Sequence, residues 1–256
     1  MVIGKRLERW SPLIVLAIVL LLWQAIVTLF RVPEFIFPSP WQIAQEFVAF
    51  RGALVEAAWK TFWVTMLGFG LSIAVGVLLG FLVGSSRLAY TALYPLMVAF
   101  NAVPKAAIVP ILVVWFGIGL GPGVLTAFLI SFFPITVNIA TGLATLEPEL
   151  EDVLRVLGAR RWDVLVKVGL PRSMPYFYAS LKVAITLAFV GTVLAEMTAG
   201  DSGIGYLMQS AGRQQRMPLA FAGLVAIGVM AMAMYELFSW IERRTTAWAH
   251  RGSNAA

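Results

Sequence analysis

Residues 152–171 read DVLRVLGARRWDVLVKVGLP. The stretch is charged, carries Gly158 near its middle, ends in Leu170-Pro171 and is flanked on both sides by apolar chain. Glu147, Glu149 and Glu151 just before it and Asp152 at its start sit early in a helical stretch, where acidic groups complement the helix dipole. Arg155 follows Asp152 by three residues and can pair with it. Gly158 permits a tightly bent or left-handed backbone. From Arg161 to Val168 a second short helix would place Trp162, Leu165 and Val166 on one face and pair Asp163 with Lys167. Leu170-Pro171 then ends it and turns the chain onward. Two short helices joined by a glycine bend present backbone and an apolar face outward. A plain connecting loop needs neither; a knob that docks on a partner uses both.

The rest of the chain supplies the setting. Of 256 residues, 60% are hydrophobic and 12% charged, against about 45–50% and about 25% in a soluble domain. The surplus apolar surface calls for lipid. There is no cysteine, and the sole histidine is His250. Disulfides and thiolate metal sites are thereby excluded, and zinc chemistry and Ser-His or Cys-His catalysis have almost no raw material. A membrane-spanning helix takes about 20 mostly apolar residues, and the sequence offers six such stretches: roughly 12–30, 61–84, 93–116, 124–143, 176–197 and 218–241. The first follows Lys5, Arg6 and Arg9, but its apolar run is too long for a signal peptide and no A-x-A-like site follows, so it reads as an uncleaved span. The fold expected is all-α, one polytopic transmembrane domain over 1–256, with the charged connection at 145–174. Between the first two spans, Pro38-Ser39-Pro40 stops any helix, and Trp41–Phe50 reads as an amphipathic helix at the interface.

Placing the N-terminus in the cytoplasm puts Lys5, Arg6, Arg9, Arg87, Arg155, Arg160, Arg161, Lys167, Arg172, Arg243, Arg244 and Arg251 inside. Arg31, Arg51, Lys60, Arg213 and Arg216 lie outside. Twelve against five obeys the positive-inside rule, so both termini and the 145–174 segment are expected in the cytoplasm. Gly76, Gly80 and Gly84 share one helix face, suited to close packing within the bundle or against a second copy. Pro104, Pro110 and Pro134 interrupt spans three and four.

The spacing of the opening stretch carries a further reading. Asp152-Val153-Leu154, three residues, Gly158, nine residues, Val168, one residue, then Leu170-Pro171 resembles the EAA motif (EAA-x3-G-x9-I-x-LP) of binding-protein-dependent ABC importer permeases. Gly158, Leu170 and Pro171 match outright and Val168 is a close substitute, while the EAA triplet itself departs. FPSPWQI at 37–43, PILVVWFGIG at 110–119 and VLAEMTAGDSGIGYLM at 193–208 look like the nitrate/sulfonate/taurine group, which also includes permeases for thiamine-precursor pyrimidines and aromatic carboxylates. The resemblance implies the type I importer permease fold in a bacterial inner membrane. It implies a homodimer, two cytoplasmic ABC ATPase subunits and an extracytoplasmic solute-binding protein, with no nucleic-acid partner. It makes the glycine-centred segment a coupling helix seated on the ATPase, with Gly158, Ala159 and Arg160 at its tip, Arg161 and Trp162 following, and Asp152 and Arg155 flanking. Independently, no G-x-x-x-x-G-K-[ST] phosphate-binding loop occurs, so this chain is not expected to hydrolyse ATP itself; the resemblance assigns ATP and Mg to the partner ATPase, and no cofactor is expected on this chain.

For the solute, the resemblance favours a small anion: a sulfonate, taurine, nitrate or an aromatic carboxylate. Lys105 lies beside Pro104 at membrane depth, where a bare ammonium is costly. With Asn101 and Glu196 it is a candidate for the translocation path, or else for internal pairing. Lys182 and Glu236 lie near span ends and are expected to snorkel to the interface. Asn138 needs a partner, and Asp201, Arg213 and Arg216 are available to a binding protein. A stand-alone secondary transporter or channel remains the alternative. It would need ionisable residues inside the bundle and leaves the Gly158 knob unexplained. A membrane-embedded enzyme lacks any local catalytic constellation.

Overall fold

In the computed structural model the backbone is described for residues 2–144, 153–154 and 156–246, and the side chains for the same residues except 2–9, 161, 162 and 165. The described residues are helical and form no strand. In chain order the helices are α1 (Val2–Leu29), α2 (Pro40–Ala49), α3 (Arg51–Gly84), α4 (Arg87–Ala102), α5 (Val109–Phe116), α6 (Leu120–Ala144), the single turn α7 (Arg161–Val164), α8 (Leu170–Ala199), α9 (Gly203–Arg213) and α10 (Met217–Thr245). Among the described residues, five helices are long and apolar enough to cross a membrane, and six if a bent pair counts as one.

α6 lies at the centre, packed on one side by α3 and on the other by α8. Small residues make this possible. A Cβ at Gly76 would fall 2.9 Å from the Cβ of Ile135, and one at Gly80 would fall 2.8 Å from both the Ile139 Cβ and the Thr136 carbonyl. The α3 backbone therefore rests directly on α6. That face of α3 is consumed inside the chain, and of the two uses expected for Gly76, Gly80 and Gly84 it is internal packing. Phe69, Ile135, Ile185 and Phe189 fill the adjoining core. Its buried hydroxyls are paired across helices: Thr65 donates to Thr192 at 2.9 Å, and Ser72 and Ser131 are 2.7 Å apart. An unpaired hydroxyl there would cost free energy, and the pairing removes that cost.

The expected span at 93–116 is not one rod. α4 ends at Ala102, a 3-10 turn covers Lys105–Ile108, and α5 leaves at 69° to α4. The cause is Pro104, which has no N–H to donate and disfavours helical geometry at the residue before it. Val103 accordingly takes an extended conformation, φ −64° and ψ 127°. Pro38-Ser39-Pro40 stops one segment and also opens the next. Ser39 and Gln42 form a reciprocal capping box, with Pro40 in the first turn of α2. α3 begins at Arg51, ten residues before the apolar stretch that announced it.

The second short helix expected at 161–168 is likewise not separate. α7 runs into a π-helical turn, Leu165–Gly169, and this runs straight into α8. Leu170-Pro171 is the first turn of α8 and not a terminator. Pro171 cannot donate to the Lys167 carbonyl, and a wider turn just before it accommodates that missing bond.

Candidate functional site at the two ends of the bundle

One end of the bundle carries the opening stretch. Val153, Leu154 and Val156 are helical, and the turn closes at Gly158 with φ +86°. The Leu157 N–H donates to the Val153 carbonyl at 3.1 Å, and the Ala159 N–H donates to the Leu154 carbonyl at 3.0 Å. The second bond is the six-to-one closure of a helix ended by a left-handed glycine. No atom would lie within 4 Å of a Cβ at Gly158. Val153, Val156 and Leu157 are 57%, 88% and 76% exposed. Ala159 is half-buried and Arg160 exposed. Asp152, Arg155 and the rest of 145–152, as well as the side chains of Arg161 and Trp162, lie outside the described residues. Beyond the turn, Lys167 pairs with Asp163 at 2.8 Å and holds that exposed carboxyl below its ordinary range.

Midway along the molecule, the break at Pro104 frees the Asn101 carbonyl, whose partner in a continuous helix would be the Lys105 N–H. The Lys105 side chain takes it instead. Nζ donates to Asn101 O at 3.1 Å and to Asn101 Oδ1 at 2.6 Å, 6.0 Å from the Phe133 ring centroid. The ammonium thus caps the end of α4 while remaining half-buried beside the exposed Asn101. Asn138 is spent locally, donating to the Pro134 carbonyl at 2.8 Å.

Glu196, expected with Lys105 and Asn101, lies apart from them at the other end, 7% exposed. Its carboxylate accepts from the Thr61 hydroxyl at 2.9 Å and from the Gly205 N–H at 2.8 Å, and Thr61 Oγ1 accepts from the Ile204 N–H at 2.8 Å. Nothing in the sequence marked Thr61. Gly203 and Gly205, seven and nine residues after Glu196, were the visible trace of this contact.

The charges expected to snorkel are paired. Lys182 meets Glu242 at 2.6 Å, with side chains only 18% and 16% exposed, and lies 5.8 Å from the Tyr235 ring centroid. Its partner Glu242 stands on the last turns of α10. Glu236 faces Arg243 at 3.7 Å on the exposed surface. Arg216, counted among charges open to a binding protein, donates twice to Glu46 of α2, at 3.1 and 2.9 Å, and stacks 4.3 Å from the centre of Phe50.

Residues 72–247 match the family described as the inner-membrane component of binding-protein-dependent transport systems. The chain belongs to that family. A probable ABC transporter permease of Haemophilus influenzae is 32% identical over 247 residues, covering 93% of this permease and 98% of the relative. The riboflavin transport system permease RibX of Chloroflexus aurantiacus is also 32% identical, covering 95% and 94%. A putative aliphatic sulfonates transport permease of Bacillus subtilis is 27% identical, covering 96% and 90%. Among solved structures, the inward-facing MetNI methionine ABC transporter superposes with a TM-score of 0.67 at 18% identity, over 77% of this chain and 98% of that one. The permease therefore has the type I importer fold and serves as the membrane component of an ATP-driven importer. It works with a binding protein and an ATPase, and ATP hydrolysis resides in that separate subunit. Among the described residues no three His, Cys, Asp or Glu side chains group as metal ligands.

Proposed function

We propose that two copies of this permease form the translocation unit, with both termini and the Gly158 end in the cytoplasm, where each Gly158 turn seats on one ABC ATPase subunit holding ATP and Mg. The observation that carries the reading is the exposure of Val153, Val156 and Leu157 around an open, glycine-closed turn. In the chain the turn is followed closely by Arg160 and Arg172, a setting suited to a protein partner rather than to lipid tails. Asp152 and Arg155 flank the contact, and Ala159, Arg160, Arg161 and Trp162 continue it. ATP binding draws the two ATPase subunits together, the Gly158 turns move with them, and the helices rock to open the path outward. Solute then enters from a docked binding protein, and hydrolysis restores the inward-facing state.

Gentle extraction of the tagged permease from native membranes tests the reading. A co-eluting ATPase with a phosphate-binding loop is expected, lost or uncoupled in Gly158→Arg. Elution alone, with ATP-independent transport, would overturn it.

For the solute we infer a small organic or inorganic anion such as a sulfonate, taurine, nitrate or an aromatic carboxylate, met in the path by Lys105 and Asn101. Lys105 brings positive charge to the helix break, and its hydrogen bonds to Asn101 leave one ammonium proton free for a solute oxygen. Lys105→Met should assemble with the ATPase yet take up taurine at a reduced rate; full uptake would remove Lys105 from the path. A flavin-like heterocycle is the second reading, favoured by the riboflavin permease among the relatives. Uptake of riboflavin that is indifferent to Lys105→Met would select it.

A further inference from the structure

We propose that Glu196 is a positioning residue: it clamps α9 to α3 and to the end of α8, so that movement of α8 started at its Leu170-Pro171 end reaches the outward face. The inference rests on the orientation and the ATPase contact proposed above.

Three features argue for a clamp that transmits. First, the Glu196 bonds join three elements and not two. The carboxylate sits on α8, the Thr61 hydroxyl that donates to it sits on α3, and the Gly205 and Ile204 N–H groups belong to the first turn of α9. A carboxylate only accepts and a hydroxyl both donates and accepts. The order Ile204 N–H, Thr61 O–H, Glu196 carboxylate therefore has one direction and needs all three members.

Second, the backbone is shaped around it. Gly203 has φ +89°, and a Cβ there would fall on the Glu196 carboxyl group. A Cβ at Gly205 would lie 2.7 Å from that of Glu196 and 2.6 Å from the Val193 carbonyl. The start of α9 thus lies directly on the end of α8.

Third, two open spaces lie beside the clamp. One cavity of about 280 Å³ lies between α3 and α9, lined by Glu56, Lys60, Tyr206 and Ser210; another of about 250 Å³ lies between α3, the α5–α6 turn and the end of α8, lined by Trp63, Gly123 and Ala195. With room beside it, the hydrogen-bonded contact fixes where α9 goes when α8 moves. α8 is one helix of 30 residues. It spans roughly 40 Å from the ATPase end to Glu196, at about 1.5 Å per residue. The contact next to the Gly158 turn and the clamp are the two ends of one lever.

The absence of cysteine from the chain allows a direct test in the complete permease–ATPase complex in native membranes. Tyr206, 41% exposed on α9, is replaced in Tyr206→Cys as a reporter, and its labelling rate with a membrane-impermeant maleimide is measured with and without ATP, Mg and vanadate. A second reporter, Val156→Cys, reads protection by the ATPase. With the clamp intact, trapping nucleotide should change the Tyr206→Cys rate about fivefold or more, the ordinary scale of coupling between sites. Thr61→Val and Glu196→Gln should abolish the change while leaving co-purification and basal ATP hydrolysis intact, and Thr61→Ser should restore it. A response that survives in both clamp variants overturns the proposal, as does the same rate with and without nucleotide while Val156→Cys is protected. If Val156→Cys is not protected in the complex, the ATPase contact itself is wrong and the clamp proposal falls with it.

Discussion

Gly158 and Gly203 share a left-handed backbone, φ +86° and +89°, at opposite ends of the bundle. Around Gly158 there is empty space; at Gly203 a single added carbon would collide with the Glu196 carboxyl group. At the first end apolar side chains are exposed and the hydrogen bonds run along the backbone. At the second a charged side chain is buried and hydrogen bonds cross three helices. The same dihedral angle is thus used in two ways. Gly203 serves contacts already made inside the chain, whereas Gly158 shapes a surface that the chain itself leaves uncovered.

The contrast is broken most forcefully at Gly203. Gly203→Val combines the left-handed strain of about 1–2 kcal/mol with overpacking of about 1–3 kcal/mol. A loss of about 3 kcal/mol is expected, seen as a large fall in the thermal unfolding midpoint of the detergent-extracted permease. A midpoint near wild type would mean that α9 can leave Glu196 freely, and the two ends would not differ as described.

The Lys182–Glu242 pair ties α8 to α10, and Lys182→Met cuts it. Glu242 would remain largely buried without its cation. A fully buried pair broken on one side costs about 3–5 kcal/mol, and the partial exposure here reduces this to about 2 kcal/mol. Lys182→Met with Glu242→Met should recover most of that loss, because no charge is then stranded. If the single variant is as stable as the parent, the ammonium does snorkel and the α8–α10 tie is absent.

That pair shows where the sequence ceased to be readable. Apolar length located most of the helices, because a membrane demands it. The glycine bend at Gly158 and the apolar face after it suggested a docking segment, but Leu170-Pro171, read as the end of a short helix, begins α8. Proline announced the break at 104 in kind but not in consequence: a 69° turn follows from how α5 packs on α6 and α8, which no local rule contains. The partners of charges were hidden for the same reason. Lys182 and Glu242 are sixty residues apart, and Thr61 and Glu196 one hundred and thirty-five. Such pairs exist only once α3, α6, α8 and α10 are assembled. Gly203 and Gly205 were visible as residues, but the reason for them was Glu196, which became their neighbour only on folding.

The smaller effects separate stability from coupling at the Gly158 end. Gly158→Ala should lower the stability of the permease alone by no more than about 1–2 kcal/mol, since the strain is local and the added methyl meets nothing. ATP-driven uptake should fall far more than stability does. Equal losses in both would make Gly158 a folding residue like Gly203.

Leu157→Ser is the mildest change and the sharpest discriminator. Leu157 is 76% exposed, so its replacement should move the unfolding midpoint of the isolated permease very little, within about 0.5 kcal/mol. A leucine covered by a partner has more to lose, because burying that side chain is worth about 1.5–3 kcal/mol. The variant should therefore release its ATPase during purification roughly tenfold more readily, at 1.4 kcal/mol per decade. A side chain that matters to the complex and not to the monomer is the property that distinguishes a docking surface from a core. If Leu157→Ser instead destabilises the isolated permease, the apolar turn packs on its own bundle, and the two glycines do the same work at both ends.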